Sequence, residues 1–352
     1  MTTYEVNDDI SPFNKVVYIR NRWGDNWYTG SGTIVGNNDI LTAAHVVYNT
    51  QRGGWSDECR IYASYDPDSS NESNNYYTTS WRVGYTDWDE NGDGLISQGD
   101  NKSGSLYETE KDIALLSLTT DIGSIYGWMS LKFDFDGGTA SKLGYSGKYN
   151  DNLYYDEGIV YKDSIDNYFW FFNNDIEINP GDSGGPLYVY SEGSADYQVI
   201  GVHSGKNNVN GSACALNAHS NWLTDEIESN NYLYDKGFAT ITSSDSVDEG
   251  SSISFTFKTH KSEENKQYSY SLSGVSSNDF TNNTLSGTTT INSDGEGIFS
   301  LSISADNMNE GIETFTLSIG EKNKSVIIND TSIDEIAPTI KAPSTSSYNG
   351  IP

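Results

Sequence analysis

The chain has 352 residues and carries 50 acidic against 20 basic side chains, which gives a formal net charge of −30. That charge repels nucleic acid and anionic membrane surfaces, so we expect neither as a partner, and it favours divalent cations. The length allows two or three domains, and no stretch approaches the roughly 20 apolar residues that a membrane-inserted helix requires.

A first domain is predicted over residues 1–235, which contain all of the tryptophans. Short runs of β-branched and aromatic residues alternate there with turn residues, as in VVYIRN (residues 16–21) and SGTIVG (residues 31–36), and this pattern predicts β-strands. The stretch HSNWLTDEIESNNYL is predicted to form a closing helix with Ser220 as its N-cap. Two cysteines, Cys59 and Cys214, allow either one disulfide or two free thiols.

Three short motifs in this domain carry residues suited to nucleophilic catalysis. His45 ends the run LTAAH directly after an apolar strand, and an imidazole is the natural proton acceptor near neutral pH. Asp112 stands ahead of the apolar run IALL, where its carboxylate could be buried against an imidazole and fix the tautomer. Ser183 lies within INPGDSGGP, whose small residues let the amides of Gly181 and Ser183 converge as an oxyanion hole. Taken singly, the motifs also fit a strand end, a solvated aspartate and a turn.

A calcium-binding loop is predicted within an insertion at residues 87–100. The twelve residues DENGDGLISQGD place oxygen donors at alternate positions around a glycine that permits a sharp turn, and they resemble the loops of EF-hands and dockerins. The predicted ligands are Asp89, Asn91, Asp93, the carbonyl of Leu95, Ser97 and Asp100. A calcium ion there would be structural. The alternative is a solvated acidic turn, because such matches are frequent in an acidic chain.

A second domain is predicted over residues 236–332, where serine and threonine alternate with apolar residues. A period of two over several short runs predicts a β-sandwich. Residues 333–352 are predicted to be a linker or the start of a further module. The runs VDEG and DNMNEGIETFTL resemble Calx-beta domains, which implies a second calcium site. Its ligands would be Glu249, Asp306, Glu310, Glu313 and Asp330. A purely structural spacer is the alternative.

The motifs TAAH, DIALL and GDSGGP, in this order, resemble those of chymotrypsin-type serine peptidases. The resemblance covers the first domain and implies two six-stranded β-barrels, with His45 and Asp112 on the first and Ser183 on the second. It implies that Ser183 attacks the scissile carbonyl, that His45 takes and returns its proton, and that Asp112 orients His45. Asp182 matches a buried aspartate of the family. Because an unpaired buried carboxylate is costly, we expect a cationic partner for it.

Within this family, the spacing of SPFNKVVYI to GSGTIV resembles that of the bacterial glutamyl endopeptidases. This resemblance places His203 in the substrate pocket, where a protonatable ring would bind an acidic P1 side chain. Ser204 matches a serine of the serine peptidase family that hydrogen-bonds the triad aspartate. Glu177 and Ile178 fall near the predicted pocket base, where a carboxylate would instead favour a basic side chain. Acidic P1 residues are the leading expectation, and basic and apolar preferences stay open.

Together these patterns predict an all-β, secreted or cell-surface serine endopeptidase that acts on protein or peptide substrates through an acyl-enzyme. Ca²⁺ is expected as a structural ion, and no cofactor is expected for catalysis. The location is inferred from the pairing of a peptidase with a sandwich module. The first fifteen residues give no separate support for it, because they lack the apolar core of a secretory signal. The alternative is a catalytically silent, adhesin-like surface protein built on a peptidase fold, although a complete triad argues against it.

Overall fold

The computed structural model describes residues 3–67, 76–89, 92–94, 96, 105–162, 169–173, 176–206, 210–235, 239–260, 263–305 and 311–331. The chain divides into two compact units, residues 1–238 and residues 239–352. The described residues form 24 strands and four α-helices, so the predicted all-β class is correct.

The first part of the first unit forms a closed β-barrel. Its elements in chain order are β1 (Tyr4–Glu5), β2 (Val16–Trp23), β3 (Asn26–Ile34), β4 (Asp39–Thr42), α1 (Ala44–Val47), β5 (Tyr48–Asn49), β6 (Gly54–Trp55), β7 (Glu58–Ala63), β8 (Tyr77–Gly84), α2 (Ser105–Glu110) and β9 (Ala114–Leu118). Six antiparallel strands close in the order β2, β3, β4, β9, β8, β7. Both faces of β2 are buried at its start, because Tyr18 faces Tyr145 of the second barrel with ring centroids 5.5 Å apart.

The second part of this unit forms the second barrel. Its elements are α3 (Ile122–Tyr126), β10 (Ser130–Leu131), β11 (Gly138–Ser146), β12 (Asn152–Lys162), β13 (Phe169–Asn173), β14 (Pro186–Ser191), β15 (Asp196–Lys206), β16 (Asn210–Ala215) and α4 (Ser220–Asp235). Strands β12, β11, β14, β15, β16 and β13 pair in that order, and β13 pairs back onto β12. The six strands therefore close on themselves, which gives the second predicted barrel. The closing helix α4 begins at Ser220 and buries Leu223 and Leu233.

The second unit contains two sheets. Its strands are β17 (Thr240–Thr242), β18 (Ser246–Asp248), β19 (Ser252–Lys258), β20 (Gln267–Ser273), β21 (Ser286–Thr290), β22 (Glu296–Ser302), β23 (Glu313–Ile319) and β24 (Lys322–Asn329). One sheet has the order β17, β19, β22, and the other has the order β18, β24, β23, β20, β21. Alternate residues Ile253, Phe255 and Phe257 of β19 are buried, as the period-two pattern predicts. The predicted linker, residues 333–352, lies outside the described residues.

The two cysteines are separate, buried free thiols. Burial raises the pKa of the Cys59 thiol to about 12, so this thiol is protonated and unreactive at neutral pH. Within the described ranges, no helix is long and apolar enough to cross a membrane.

Candidate active site

Antiparallel pairing in the first barrel brings His45 and Asp112 together. Thr42 at the end of β4 pairs with Ala114 at the start of β9. His45 follows Thr42 in α1, and Asp112 precedes Ala114, so both side chains emerge at the same edge of the sheet. The His45 ring Nδ1 donates to Asp112 Oδ2 at 2.7 Å, and the His45 backbone amide donates to Asp112 Oδ1 at 2.8 Å. Because a carboxylate can only accept, the ring proton lies on Nδ1 and Nε2 is left as the proton acceptor.

A third donor completes the surroundings of the Asp112 carboxylate. Ser204 in β15 donates its hydroxyl to Asp112 Oδ2 at 2.5 Å, and the Asp112 side chain is fully buried. Three hydrogen bonds thus hold the charged carboxylate in one orientation. The sequence predicts this role for Ser204, and the structure places its hydroxyl at the triad aspartate.

Ser183 lies in the turn that precedes β14, and Ser204 links it to the other two residues. The Ser183 hydroxyl donates to the Ser204 carbonyl oxygen at 3.5 Å. In the described part of the chain it makes no hydrogen bond to His45. Catalytic hydrogen bonds are often long or unformed in ligand-free sites and tighten when substrate binds. The structure therefore brings the three predicted residues to one site, with the Ser183 hydroxyl directed at the Ser204 carbonyl oxygen.

Two backbone amides at Ser183 and Gly181 point away from the acceptors of the described residues. In the peptide group that carries the Gly181 amide, the proline carbonyl accepts from the Gly147 amide at 2.8 Å. In the peptide group that carries the Ser183 amide, the carbonyl accepts from the Gly185 amide at 3.0 Å. Because the C=O and N–H of a trans peptide point in opposite directions, these bonds fix where both amides point. Neither amide has an acceptor among the described residues, so both are available to an oxyanion.

Glycine is required at two positions of this turn. Gly181 has φ +97° and Gly184 has φ +86°, a backbone region that residues with a Cβ rarely adopt. A Cβ at Gly181 would lie 2.4 Å from the Tyr145 carbonyl oxygen, and one at Gly184 would lie 2.2 Å from the Ser31 carbonyl oxygen. The glycines therefore let the turn pack closely on both barrels.

Two residues of the site are not identified by the sequence analysis. Lys142 of β11 is the cationic partner expected for Asp182, with Nζ 2.5 Å from Asp182 Oδ2. Its only sequence signal is a lysine inside a run that otherwise suits a buried strand. Trp88 is fully buried and meets the His45 ring edge to face at 6.1 Å. No pattern in the sequence identifies it.

The predicted pocket residues occupy different surroundings. His203 is 1% exposed, and its carbonyl accepts from the Gly184 amide at 2.8 Å, which holds it beside the nucleophile's turn. Glu177 forms an ion pair with Lys148, and its other oxygen accepts from the Tyr149 hydroxyl at 2.8 Å. These contacts lower the pKa of Glu177 to about 2. Ile178 packs in the core of the second barrel. A substrate pocket formed by these residues stays a prediction.

The predicted calcium loop is described at two of its six ligands, Asp89 and Asp93. Asn91, Leu95, Ser97 and Asp100 lie outside the described residues. Asp89 Oδ2 accepts from the Gly94 amide at 2.9 Å and from the Thr50 hydroxyl. Asp89 Oδ1 is buried and has no hydrogen-bond partner in the described ranges. An orphaned, buried carboxylate oxygen suits a cation ligand.

For the second predicted calcium site, the structure describes Glu249, Glu313 and Asp330, whereas Asp306 and Glu310 lie outside the described residues. Asp330 accepts from the Gly311 amide at 2.8 Å, and Glu249 accepts from the Thr331 amide at 3.4 Å. Within the part of the chain that the structure describes, no group of three or more His, Cys, Asp or Glu side chains is arranged to hold a metal.

Comparison with known proteins agrees with this geometry. The family model described as Trypsin matches residues 2–223. No curated protein matches at a significant level.

Solved structures match about two thirds of the chain. The match to a structure of Glu endopeptidase in complex with MPD has 20% sequence identity and a TM-score of 0.50. It covers 64% of this chain and 96% of the endopeptidase chain. HL collagenase is 15% identical with coverages of 64% and 97% and a TM-score of 0.46. An inactivated protease paralogue from the scabies mite is 15% identical with coverages of 65% and 100% and a TM-score of 0.44. At such identities, the likeness to the Glu endopeptidase extends to the fold alone.

Proposed function

The chain belongs to the trypsin family of serine peptidases over residues 2–223, and we propose that it is a serine endopeptidase that cleaves protein or peptide substrates through an acyl-enzyme. The observation that carries this proposal is the Asp112 carboxylate, which accepts from both the ring and the backbone of His45. That arrangement fixes the imidazole with Nε2 free to accept a proton, beside a serine whose neighbouring amides are available to an oxyanion.

The proposed reaction uses these groups in two steps. In the first, Ser183 Oγ attacks the scissile carbonyl carbon while its proton passes to His45 Nε2, and the carbonyl oxygen becomes an oxyanion that accepts from the Gly181 and Ser183 amides. The imidazolium then gives the proton to the leaving amine as the peptide bond breaks. In the second, His45 deprotonates a water that attacks the acyl-enzyme, and the proton returns to Ser183 Oγ. Asp112 stabilises the imidazolium in both steps.

Hydrolysis of an unfolded protein substrate tests the proposal. The wild type is expected to generate new amino termini, whereas Ser183→Ala is expected to lose at least about 10³-fold in kcat. A folded wild-type protein with no hydrolysis above the Ser183→Ala background would favour the catalytically silent alternative.

We further propose that the primary pocket prefers an acidic P1 side chain. Support comes from the position of His203, whose carbonyl accepts from the Gly184 amide one residue after Ser183. A protonated ring there would form a charge-assisted hydrogen bond with a P1 carboxylate. The Glu177 carboxylate would repel an acidic P1 side chain, but its ion pair with Lys148 neutralises that charge. The name of the similar Glu endopeptidase structure agrees with this preference, but at 20% identity the likeness extends to the fold alone.

Paired peptide substrates with Glu or Gln at P1 test this preference. A charge-assisted hydrogen bond contributes about 1.5–3 kcal/mol, so kcat/KM is expected to favour Glu by about 10- to 100-fold. His203→Gln should remove most of that ratio, whereas the control Glu177→Gln should leave it within about twofold. A preference for Lys, Arg or Leu at P1 would reject the proposal.

We propose that Ca²⁺ binds the loop 89–100 as a structural ion. The observation in support is Asp89 Oδ1, which is buried and has no hydrogen-bond partner among the described residues. Asp89 follows Trp88, whose ring contacts that of His45. The bound ion would neutralise the loop carboxylates and hold Asp89 in place; it takes no part in the proton transfers. At 100 times its Kd, an ion adds about 2.7 kcal/mol, which is a rise of roughly 5–10 °C in Tm for a domain of this size.

Melting curves with calcium and with chelator test the ion. A rise in Tm with calcium that Asp89→Asn abolishes, and that the exposed control Asp134→Asn retains, is expected. An unchanged Tm in the wild type would reject a stabilising loop site.

The second unit is proposed to be a Calx-beta-like module in a secreted or cell-surface protein. Support comes from Asp330 and Glu249, which bind backbone amides of neighbouring segments at residues 311 and 331. Calcium titration of the full chain is expected to lose one site in Asp330→Asn and a different one in Asp89→Asn. Equal calcium stoichiometry in Asp330→Asn and wild type would show that the unit is a calcium-free spacer.

Fractionation of the producing cells tests the proposed location. Recovery of the protein in the cytosol would contradict a secreted or cell-surface location.

A further inference from the structure

Lys142 is placed where few lysines are found. It lies in the middle of β11 and is 1% exposed. Among the residues whose burial the structure describes, it is the only lysine or arginine that is buried. Charged side chains are almost never fully buried without a partner, so a specific role for this ammonium is expected.

The ammonium of Lys142 contacts the segment that leads to Ser183. Its Nζ lies 2.5 Å from Asp182 Oδ2 and donates to the Glu177 carbonyl oxygen at 2.8 Å. The same Oδ2 accepts from the Asn179 amide at 2.8 Å. One cross-strand neighbour of Lys142, Asp156, accepts from the Glu177 amide at 2.7 Å. Two side chains of adjacent strands thus hold residues 177–182 by both backbone and side-chain atoms.

The position of Asp182 connects this anchor to the oxyanion hole. Asp182 is the residue between Gly181 and Ser183, whose amides are the two proposed oxyanion donors. Its fully buried carboxylate points toward Lys142 and its carbonyl accepts from the Gly185 amide at 3.0 Å. The Ser183 amide belongs to the peptide group that follows the Asp182 Cα, whereas the Gly181 amide belongs to the peptide group between residues 180 and 181. The ion pair therefore holds the residue that carries the Ser183 peptide group. The bonds of Lys142 to the Glu177 carbonyl and of Asp182 to the Asn179 amide hold the turn that carries the Gly181 peptide group.

From this geometry we infer that Lys142 is a positioning residue for the oxyanion hole. We infer also that the hole is assembled in the uncut chain, because the Lys142 ammonium already forms the ion pair with Asp182. A cation supplied by a newly cut chain terminus is not needed at this carboxylate. The inference rests on the proposed serine endopeptidase function and concerns how the same site is held ready.

Substitution of Lys142 tests the positioning role. Loss of one oxyanion donor lowers kcat by about 10²–10³-fold in serine peptidases, and Lys142→Met, which keeps the length of the side chain, is expected to fall in that range. Lys142→Arg should recover activity to within about tenfold of wild type. The control Lys162→Met removes a lysine whose partner Asp136 is 91% exposed, and it should stay within about twofold.

A double variant separates positioning from charge compensation. Lys142→Met with Asp182→Asn leaves no unpaired buried charge, so its Tm is expected to recover most of what Lys142→Met loses, while kcat stays at least about 10²-fold low. Recovery of kcat together with Tm would overturn the inference, because Lys142 would then serve only to neutralise Asp182.

The wild-type chain tests the second part without any change in the site. A form with an N-terminal extension that cannot be removed is treated with a fluorophosphonate beside the same protein after proteolytic trimming. Equal labelling of Ser183 in the two forms supports the inference, and labelling only after trimming overturns it. Absence of labelling in both forms would contradict the proposed peptidase function itself, so the two failures are distinguishable.

Discussion

Replacement of Asp112 by asparagine is expected to disable the site while leaving its shape intact. Asp112 accepts from the His45 amide, the His45 ring Nδ1 and the Ser204 hydroxyl at 2.8, 2.7 and 2.5 Å. An asparagine has one acceptor oxygen and an NH₂ group that only donates. The backbone amide cannot reverse its role, whereas the imidazole can change tautomer and the hydroxyl can rotate. The amide oxygen of Asn is therefore expected to face the His45 backbone, with its NH₂ facing Nδ1.

That orientation moves the imidazole proton from Nδ1 to Nε2, the nitrogen that must accept the Ser183 proton. The general base is lost, which corresponds to a fall of about 10⁴ in kcat, or about 5.4 kcal/mol at about 1.36 kcal/mol per factor of ten. The assay is kcat/KM on one peptide substrate, with Tm as the folding check. Ser204→Ala removes one donor but keeps the carboxylate, and it should cost about tenfold or less. A folded Asp112→Asn variant within tenfold of wild type would show that His45 acts as the base without the Asp112 carboxylate.

Three further predictions concern stability. Burial raises the pKa of Asp39 to about 7. Between about pH 4 and pH 7 the folded protein therefore keeps a proton that the unfolded chain loses. This residue lowers the free energy of unfolding as the pH rises through that range, by up to about 4 kcal/mol. In urea unfolding, the free energy of unfolding of Asp39→Asn should rise relative to that of the wild type across this pH range. A difference between the two proteins that does not change with pH would contradict the prediction. Gly184→Ala places a Cβ 2.2 Å from the Ser31 carbonyl oxygen at φ +86°, so a loss of at least about 2 kcal/mol in the same assay is expected; a smaller loss would mean that the turn relaxes. Phe315→Ala opens the core of the second unit beside Phe280, 5.5 Å away, and should lower the urea stability of that unit by about 3–5 kcal/mol; a loss below 1 kcal/mol would contradict tight packing there.

The parts of the site that the sequence predicts are those with local chemistry. His45, Asp112 and Ser183 each stand in a short run that is recognisable because the residue type and its neighbours must serve one reaction. The glycines around Ser183 are predictable for the same reason, since positive φ and close packing leave no other residue. The two barrels follow from the resemblance of these runs to a family, and the pairing of β13 onto β12 has no signal in the sequence.

The parts that the sequence does not predict depend on contacts between distant segments. A partner for Asp182 is required by the cost of burying a charge, yet naming Lys142 needs the register of β11 against the turn 40 residues later. Trp88 contacts His45 through the packing of a loop, which no residue pattern encodes. Glu177 is expected near a pocket base, whereas its ion pair with Lys148 becomes visible only once β11 and the following turn are folded.

Intact-mass and peptide-mass analysis after treatment with a fluorophosphonate tests whether Ser183 is a nucleophile activated by His45. A single adduct on Ser183 is predicted for the wild type, with none in Ser183→Ala and labelling slowed by at least about 10³-fold in His45→Ala. A folded wild-type protein that forms no adduct would show that Ser183 is not a nucleophile, and equally fast labelling of His45→Ala would show that His45 does not activate it.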